Sequence, residues 1–541
     1  MQLYLVTPPP TKPCEPGLSA AAAAELLRRL GVETRSIDGS MAWHRFMLSP
    51  DNLAKALLSA ETLGDTPGKL LAYRRAVRTL TSQPPALRKP ATYQDRQAYT
   101  SAIGHFENLI GLAARLHPTF KLGVAQIASN ESYLRPESSA WLKQMAESAG
   151  PFDDYFTSEL IPKLADSGAN IIGVSLTFQQ QAPAAFRLAY LLERHLPNVP
   201  RILGGPLVAC WRAVDISTQG QPFTLFHRIV AGDDADLAEL ASELTQTEIS
   251  TESVAHAATM APLSIALDEG DWDDYLAPMP IVPAALGRGC YWRRCTFCPD
   301  HLHAARCPTS FDGLDGWLHA VAERFPNGAM LHLTDSALPP SHLARLSDCI
   351  SKNALPLSWH GFVRVEEEFA DADFVGRLAS GGCAMLQLGV ESASHRLLQL
   401  MGKGHTPELA REVLHTTAAA GIRNCVYLLF GFPSETDADR EQTLALVEDQ
   451  VQNISAINAA LLNLPRGSPM HRKPSRFGIT RVEPFHADTE LSLYVDFYCG
   501  EGHPRTEARR WLDHHFFKSA AVRSIIGGLR SPMKANHLCF L

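Results

Sequence analysis

Three thiols fall within nine residues of one another, Cys290, Cys295 and Cys298 in CYWRRCTFC, directly after a Gly287 to Gly289 turn. Thiolates bind soft metals, and three on one loop at x4 and x2 spacing can wrap one metal centre. The other eight of the eleven cysteines (Cys14, Cys210, Cys307, Cys349, Cys383, Cys425, Cys499 and Cys539) are scattered. That count is far below a disulfide scaffold, so the clustering carries the information rather than the number. Two metal centres compete for the triplet. A structural zinc wants four ligands, usually as two separated pairs. Cys307, His301 and His303 are candidates for the fourth, but no second CxxC exists. A [4Fe-4S] cluster held by three cysteines suits the triplet better and leaves one iron open to a substrate or cofactor. Unligated thiols are the third reading.

A loop of this kind needs a scaffold, and the chain supplies alternating strand and helix patterns on both sides of it. From Ile281, six strand candidates are separated by helical segments: Val282 to Leu286, Met330 to Leu333, Leu357 to Val365, Met385 to Val390, Cys425 to Phe430 and Ala456 to Leu464. Six βα units in succession predict an α/β barrel or partial barrel over 281–470, with its chemistry at the carboxyl ends of the strands. The helix from Asp437 to Gln452 carries Leu444, Val447 and Val451 at helical spacing behind a Ser434 to Asp437 capping pattern.

Ahead of the barrel, residues 1–245 read as a Rossmann-like α/β domain. Its strands are Leu3 to Val6, Glu33 to Ile37, Asn170 to Leu176, Arg201 to Leu203 and Phe226 to Val230, and its helices include Leu18 to Leu30, Ala182 to His195 and Asp234 to Leu244. Residues 42–164 interrupt the alternation and read as a helical insertion. The strand ends carry Thr7 to Pro10, Ser175 with Thr177, Gly204 with Gly205, and Gly232, where ligands sit in open parallel sheets. Residues 246–280, rich in Ser, Thr, Ala, Pro and acids, read as a linker, and 471–541 as a mainly helical C-terminal segment.

The composition bounds the function classes. A chain of 541 residues, at about 150 per domain, predicts three to four structural units. Apolar residues at 45% exclude disorder, and a net charge of −8 leaves nucleic acid no overall attraction. No stretch reaches the length a membrane helix needs, and MQLYLVTPPPTKPCEP lacks both the basic and the apolar parts of a secretion signal. The expectation is a cytoplasmic protein with neither a membrane nor a nucleic acid among its partners.

Together with Leu331 to Ser336 (LHLTDS), Trp359 to Val365 (WHGFVRV), Gly389 to Ser394 (GVESAS), Met401 to Gly404 (MGKG) and Phe430 to Thr436 (FGFPSET), the triplet resembles the radical S-adenosylmethionine (SAM) superfamily over about Pro283 to Asn463. The departure is the x4 first spacing, where that superfamily usually has x3. The resemblance implies that Cys290, Cys295 and Cys298 each bind one iron and that SAM chelates the fourth. Reduction then cleaves SAM to a 5′-deoxyadenosyl radical that abstracts hydrogen from a substrate. It further implies SAM contacts from Phe297 (adenine packing), Asp335 (methionine amine), Arg364 (carboxylate), Glu391 and Ser392 (ribose or methionine) and Gly431 (space for adenine). Tyr427, His360 and His405 near the barrel mouth are read as ordinary barrel side chains, and Cys14 as a structural thiol.

The front domain, with LYLVTPPP, GVSLTFQQQ, a GG pair and AGDDADLAEL, resembles the cobalamin-binding half of the B12-dependent subclass. The DxHxxG motif that ligates cobalt from below is absent. The resemblance implies corrin contacts from Ser175, Thr177, Gln181, Gly204, Gly205 and Gly232. With both cofactors, the implied activity is methylation of an unactivated carbon of a natural-product-type or peptide substrate, fed electrons by a reductant such as flavodoxin or ferredoxin. One alternative is radical rearrangement, cyclisation or C–S bond formation without methyl transfer. Another is a metal-stabilised binding module with no catalysis.

Overall fold

A computed structural model describes residues 2–82, 85–129, 135–300, 313–527 and 531–541. Five parallel strands, β1 (Leu3–Thr7), β2 (Thr34–Asp38), β3 (Ile171–Ser175), β4 (Arg201–Gly204) and β5 (Arg228–Val230), form one sheet in the order β2-β1-β3-β4-β5. Every residue of β3 is buried, as its uninterrupted apolar run requires of a strand covered on both faces. The order reverses between β1 and β3, so the switch point lies where Thr7 to Pro10 meet Thr177 to Gln181.

The excursion between β2 and β3 is mostly helical: Gly39–Met47, Pro50–Thr62, Pro67–Ser82, Arg96–Ala113 and Ser139–Glu147. It also holds an antiparallel hairpin, Phe120–Gly123 with Gln126–Ser129. The 246–280 connection is more ordered than its composition suggests. Ser250 caps a helix at Thr251–Thr259 whose Val254 and Ala257 are buried against the first domain, and Leu263–Ser264 adds an antiparallel edge strand to the second sheet.

The second sheet is an open barrel of six parallel strands in sequence order: β6 (Ile281–Ala285), β7 (Ala329–Leu333), β8 (Leu357–Arg364), β9 (Cys383–Glu391), β10 (Arg423–Phe430) and β11 (Ala456–Leu461). All six expected strands are present within two or three residues of their expected bounds. Outward residues such as Leu331, Trp359, Val363, Leu386, Leu388, Val426 and Leu428 pack on the helix layer. Fully burying such a side chain stabilises by about 1.5–3 kcal/mol. The helix after β10 starts at Asp437, and its cap is Thr436 with Asp439 rather than a Ser434 to Asp437 pair.

The inward residues at the foot of the barrel, Ile281, Met330, Met385, Cys425 and Ala456, share one buried cluster with Val6 and Cys14 of the first domain and with Met533, Leu538 and Cys539. The last residues therefore lie across the barrel floor, where Arg423 donates to the carbonyls of Cys539 (3.3 Å) and Leu541 (3.2 Å). The 471–541 segment is mainly helical (Pro504–His514, Ala520–Ile526, Lys534–His537), and it also contributes Arg481–Glu483 and Tyr494–Tyr498 to a small antiparallel sheet with Leu464–Pro465.

Candidate functional site

The cysteine loop leaves β6 at its carboxyl end and is fixed at its root by Asp335. That carboxylate, buried behind β7, accepts the N–H of Leu286 (3.0 Å) and of Gly287 (2.6 Å). Burial pushes the Asp335 carboxyl up to about 6 in spite of both bonds. It therefore shapes the root of the loop. Cys290 then bridges to Ala337. Arg293 adopts a left-handed φ of 54°, a local turn within the longer x4 spacing.

The middle of the loop docks on the 401–404 turn. Trp292 Nε1 donates to Gly402 O at 2.8 Å, and Thr296 donates its N–H to Met401 O and its hydroxyl to Leu400 O, both at 2.9 Å. The Arg364 guanidinium lies 3.7 Å from the centre of the Trp292 ring, close enough for a cation–π contact. Its Nη2 donates to Lys403 O at 2.6 Å and its Nε to Glu366 at 2.9 Å, and Tyr291 donates its hydroxyl to the same Glu366 oxygen. Arg364 thus clamps the loop through its Nε and Nη2, and its expected pairing with a SAM carboxylate would have to use its other donors. Gly402 and Gly404 have φ of 70° and 80°, and a side chain at either would strike Arg294 or Trp292. No partner but glycine fits under this loop.

Glu391 ends β9 at a register shift and holds φ at 65°, a conformation a non-glycine residue adopts at a cost. Its Oε1 pairs with Lys403 Nζ at 3.2 Å in a largely buried ion pair. Gly389 leaves room for that pair, since a Cβ there would come within 3.0 Å of Glu391 and 3.1 Å of Lys403. Glu391 is the expected site residue that remains both strained and directed at the cysteine loop.

The other expected SAM residues are used by the fold. Ser392 is buried, accepts the N–H of Ser394 at 3.1 Å and meets Thr443 Oγ1 at 3.2 Å. Gly431 gives its N–H to Glu435 at 2.7 Å, and on the side where a Cβ would stand it is covered by Pro504–His514. Burial pushes the Glu435 carboxyl up to about 7, although Arg440 pairs with it at 2.9 Å. Phe297 packs into the cluster of Phe432, Met470 and Phe497.

The three thiols lie within electrostatic reach of one another, and burial raises Cys295 and carries Cys298 up to about 12. Lys403 and Arg364 act on Cys295 in the opposite sense, favouring its thiolate. Among the described residues no three of His, Cys, Asp and Glu converge on a point that one metal ion could fill. A tetrahedral zinc needs such convergence, whereas a [4Fe-4S] cube takes each thiolate on a different iron. The three thiols are the donor set a cluster would use, one thiolate to each of three irons. Cys307, His301 and His303 lie outside the described residues.

At the carboxyl edge of the first sheet, four of the six expected corrin contacts serve the fold. Ser175 bonds Ser19 at 2.7 Å. Gln181 accepts the N–H groups of Thr177 and Phe178 and donates to Pro8 O at 2.7 Å, tying the two switch-point loops together. Gly204 abuts Val230, and Gly205, with φ of 104°, lies against the Leu176 backbone, 2.5 Å from its carbonyl oxygen to any added Cβ. Gly232 is different, since nothing lies within 4 Å of where its Cβ would be. Thr177, at the same carboxyl edge after β3, is half-buried. Arg288, two residues before Cys290, reaches Gly232 O at 3.5 Å, so the cysteine loop and this edge face each other.

Sequence reasoning did not single out Trp292, Lys403, Glu366 or Tyr291. The available signal was the density of aromatic and basic residues inside CYWRRC, and the lysine between two glycines in MGKG.

Comparison with known proteins agrees with this architecture. Residues 362–447 match the model of the Radical SAM superfamily. An uncharacterized methyltransferase of Pyrococcus horikoshii is 34% identical over 98 residues, 18% of this chain and 20% of that protein. A tRNA-2-methylthio-N(6)-dimethylallyladenosine synthase of Opitutus terrae is 37% identical over 70 residues, 12% of this chain and 14% of that protein. The chain thus spans a fifth or less of these curated relatives. Among solved structures, the radical SAM methyltransferase TsrM from Kitasatospora setae, bound to tryptophan and a SAM analog, superimposes with a TM-score of 0.52 at 14% identity, covering 94% of this chain and 83% of that one. The same enzyme with cobalamin and a [4Fe-4S] cluster gives 0.51 at 13%, covering 95% and 82%. Both domains and their order are therefore shared at the level of fold.

Proposed function

We propose, on the premise that this chain carries a radical SAM domain, that it is a cobalamin-using radical SAM methyltransferase acting on an unactivated carbon of a natural-product-type substrate. The observation that supports this most is the cysteine loop at the end of the first barrel strand, held against the 401–404 turn and facing the open edge of the front domain at Gly232. When bound, a reduced [4Fe-4S] cluster supplies the electron that cleaves SAM, and cobalamin supplies a methyl carrier.

The chain's own residues do the rest. Cys290, Cys295 and Cys298 hold the cluster as thiolates, and Lys403 and Arg364 favour that ionisation at Cys295. Asp335 fixes the loop root, Trp292 and Arg364 its middle, and Glu391 offers a carboxylate to the ribose hydroxyls or methionine amine of SAM. Thr177 and Gly232 are the positions still free to receive the corrin edge. Ser175, Gln181, Gly204 and Gly205 act by shaping that edge.

The partners are a small-molecule or peptide substrate and a one-electron reductant of the flavodoxin or ferredoxin kind, in the cytoplasm. Among the described residues no helix is long and apolar enough to cross a membrane. The test is anaerobic reconstitution with iron and sulfide, with and without hydroxocobalamin, followed by metal analysis, a visible spectrum and assay of 5′-deoxyadenosine formed from SAM. About four irons, a retained corrin spectrum and reductant-dependent cleavage are expected. Zinc without iron refutes the enzyme, and a cluster without corrin refutes the methyl carrier.

A further inference from the structure

Inside the barrel, His360 and Gln387 are buried and carry polar atoms with no hydrogen-bond partner among the described residues. His360 is fully buried, and neither its Nδ1 nor its Nε2 has a hydrogen-bond partner among the described residues. Gln387 is 2% exposed, and its Oε1 is likewise unpaired. Both face the lumen, because their strand neighbours Trp359, Leu386 and Leu388 pack outward on the helices. Leaving such groups unpaired costs stability, and native folds tolerate it where a ligand will complete the bonds.

The surroundings indicate what completes them. His360 stacks on His332, with ring centres 4.5 Å apart and planes 16° apart. His332 Nδ1 in turn meets Glu15 of the first domain at 2.8 Å, and Lys12 Nζ donates to Asn536 nearby at 3.3 Å. Burial, then His332 and Lys12, keep His360 neutral, so it offers one donor and one acceptor. Gln387 adds an acceptor. One position further up the same face, the Phe362 and Tyr427 rings meet with centres 5.1 Å apart, and Phe362 is the register partner of Gln387. Above and beside them Tyr427 and Leu429 are half-exposed and Asn458 and Ala460 exposed, so the lumen opens to solvent on that side. The charged groups nearby already have partners, Glu15 in His332, Lys12 in Asn536 and Lys534 in the carbonyl of Ile457, so the groups left to be completed are the neutral ones.

We infer that His360 and Gln387 are substrate-recognition groups, placed to receive an uncharged planar group that both gives and accepts hydrogen bonds, such as a carboxamide. This deepens the proposed function, on which it rests for the word substrate. The binding itself requires no cofactor. Phe362 and Tyr427 flank the group, and Glu15 with His332 fixes the plane of His360 from the first domain.

The experiment uses the full chain and three small compounds of one size: benzamide, benzoate and benzylammonium. Equilibrium binding by calorimetry is measured for wild type, His360→Phe and Gln387→Leu, together with each melting temperature. Benzamide should bind more tightly than either charged analogue, and each substitution should weaken it about fivefold to tenfold, the worth of one or two neutral hydrogen bonds. Each should also raise the melting temperature by about 2–4 °C, because an unpaired polar group leaves the core. Unchanged benzamide binding in both variants, or a lowered melting temperature with no loss of affinity, overturns the inference and makes both residues packing elements. 5′-Deoxyadenosine formation in reconstituted wild type is measured in parallel. Cleavage without a benzamide effect refutes only this inference, and a benzamide effect without cleavage refutes only the proposed function.

Discussion

Replacing Gly404 by alanine measures how firmly the cysteine loop is held. Gly404 has φ of 80°, and a Cβ there would stand 2.5 Å from Trp292 Cη2 and closer still to Cζ2. The left-handed backbone alone costs a non-glycine residue about 1–2 kcal/mol. The indole cannot swing aside freely, since Gly402 O holds its Nε1 at 2.8 Å and the Arg364 guanidinium lies 3.7 Å from its ring centre. Forcing a methyl group into such a contact adds about 1–3 kcal/mol, for a total of about 2–5 kcal/mol. Gly421 provides the control, with φ of 81° and no atom within 4 Å of the same construction. Gly421→Ala should therefore cost only the backbone penalty, about 1–2 kcal/mol. Urea denaturation of the two variants isolates the difference, and iron content after anaerobic reconstitution reports whether the thiols are displaced. Gly404→Ala should be the less stable and take up less iron, with Gly421→Ala loading as wild type does. Stabilities within about 0.5 kcal/mol of each other, with equal iron, would refute the clamp.

Asp335→Ala strands the N–H groups of Leu286 and Gly287 at about 1–3 kcal/mol each, and Asp335→Asn, which keeps one acceptor oxygen, should lose less; iron uptake should rank wild type, Asn, Ala. At Glu15, burial raises the carboxyl, but His332 and Lys12 more than offset it and hold it below the ordinary glutamate value. A depressed carboxyl contributes stability that is full above the unfolded value, about 4.3, and lost as the pH falls through the lower folded value, so Glu15→Gln should flatten the acid side of a stability–pH curve. Gly205→Ala, pressed on the Leu176 backbone, should destabilise the first domain as seen by proteolysis. Gly232→Ala, in open space, should leave the fold intact and weaken corrin binding read from the visible spectrum, and equal corrin affinity in Gly232→Ala and wild type would remove Gly232 from the site.

The barrel was legible because its period is local. Each strand from β6 to β10 is a short apolar run followed by a helix before the next strand, and that alternation admits few arrangements other than a parallel sheet. The cysteine loop was legible for a similar reason, since its three thiols lie within one turn of chain. What the sequence hides is the neighbours of each polar residue. Arg364 and Ser392 are the right chemistry for a ligand, and the fold also uses them, through Lys403 O, Glu366 and Trp292 for the one and Thr443 for the other. Likewise, Gln181 has the amide expected of a cofactor contact and uses it to join two loops of the fold.

The lumen residues were hidden by distance along the chain. His332 lies in a five-residue strand that is otherwise apolar, and its partner Glu15 is 317 residues away in TKPCEP, a stretch whose sequence signals only a turn. Nothing local distinguishes a histidine that is bonded from one that is not, because satisfaction is a property of the assembled site. His360 and His405 read identically in sequence. In the fold His405 spends Nε2 on Val390 O at 3.3 Å, whereas His360 has neither nitrogen engaged among the described residues. The first domain therefore does more than carry a second binding edge. Through Glu15 and His332 it sets the orientation of a group inside the barrel, so a change that loosens the two domains should impair recognition in the lumen before it unfolds either sheet.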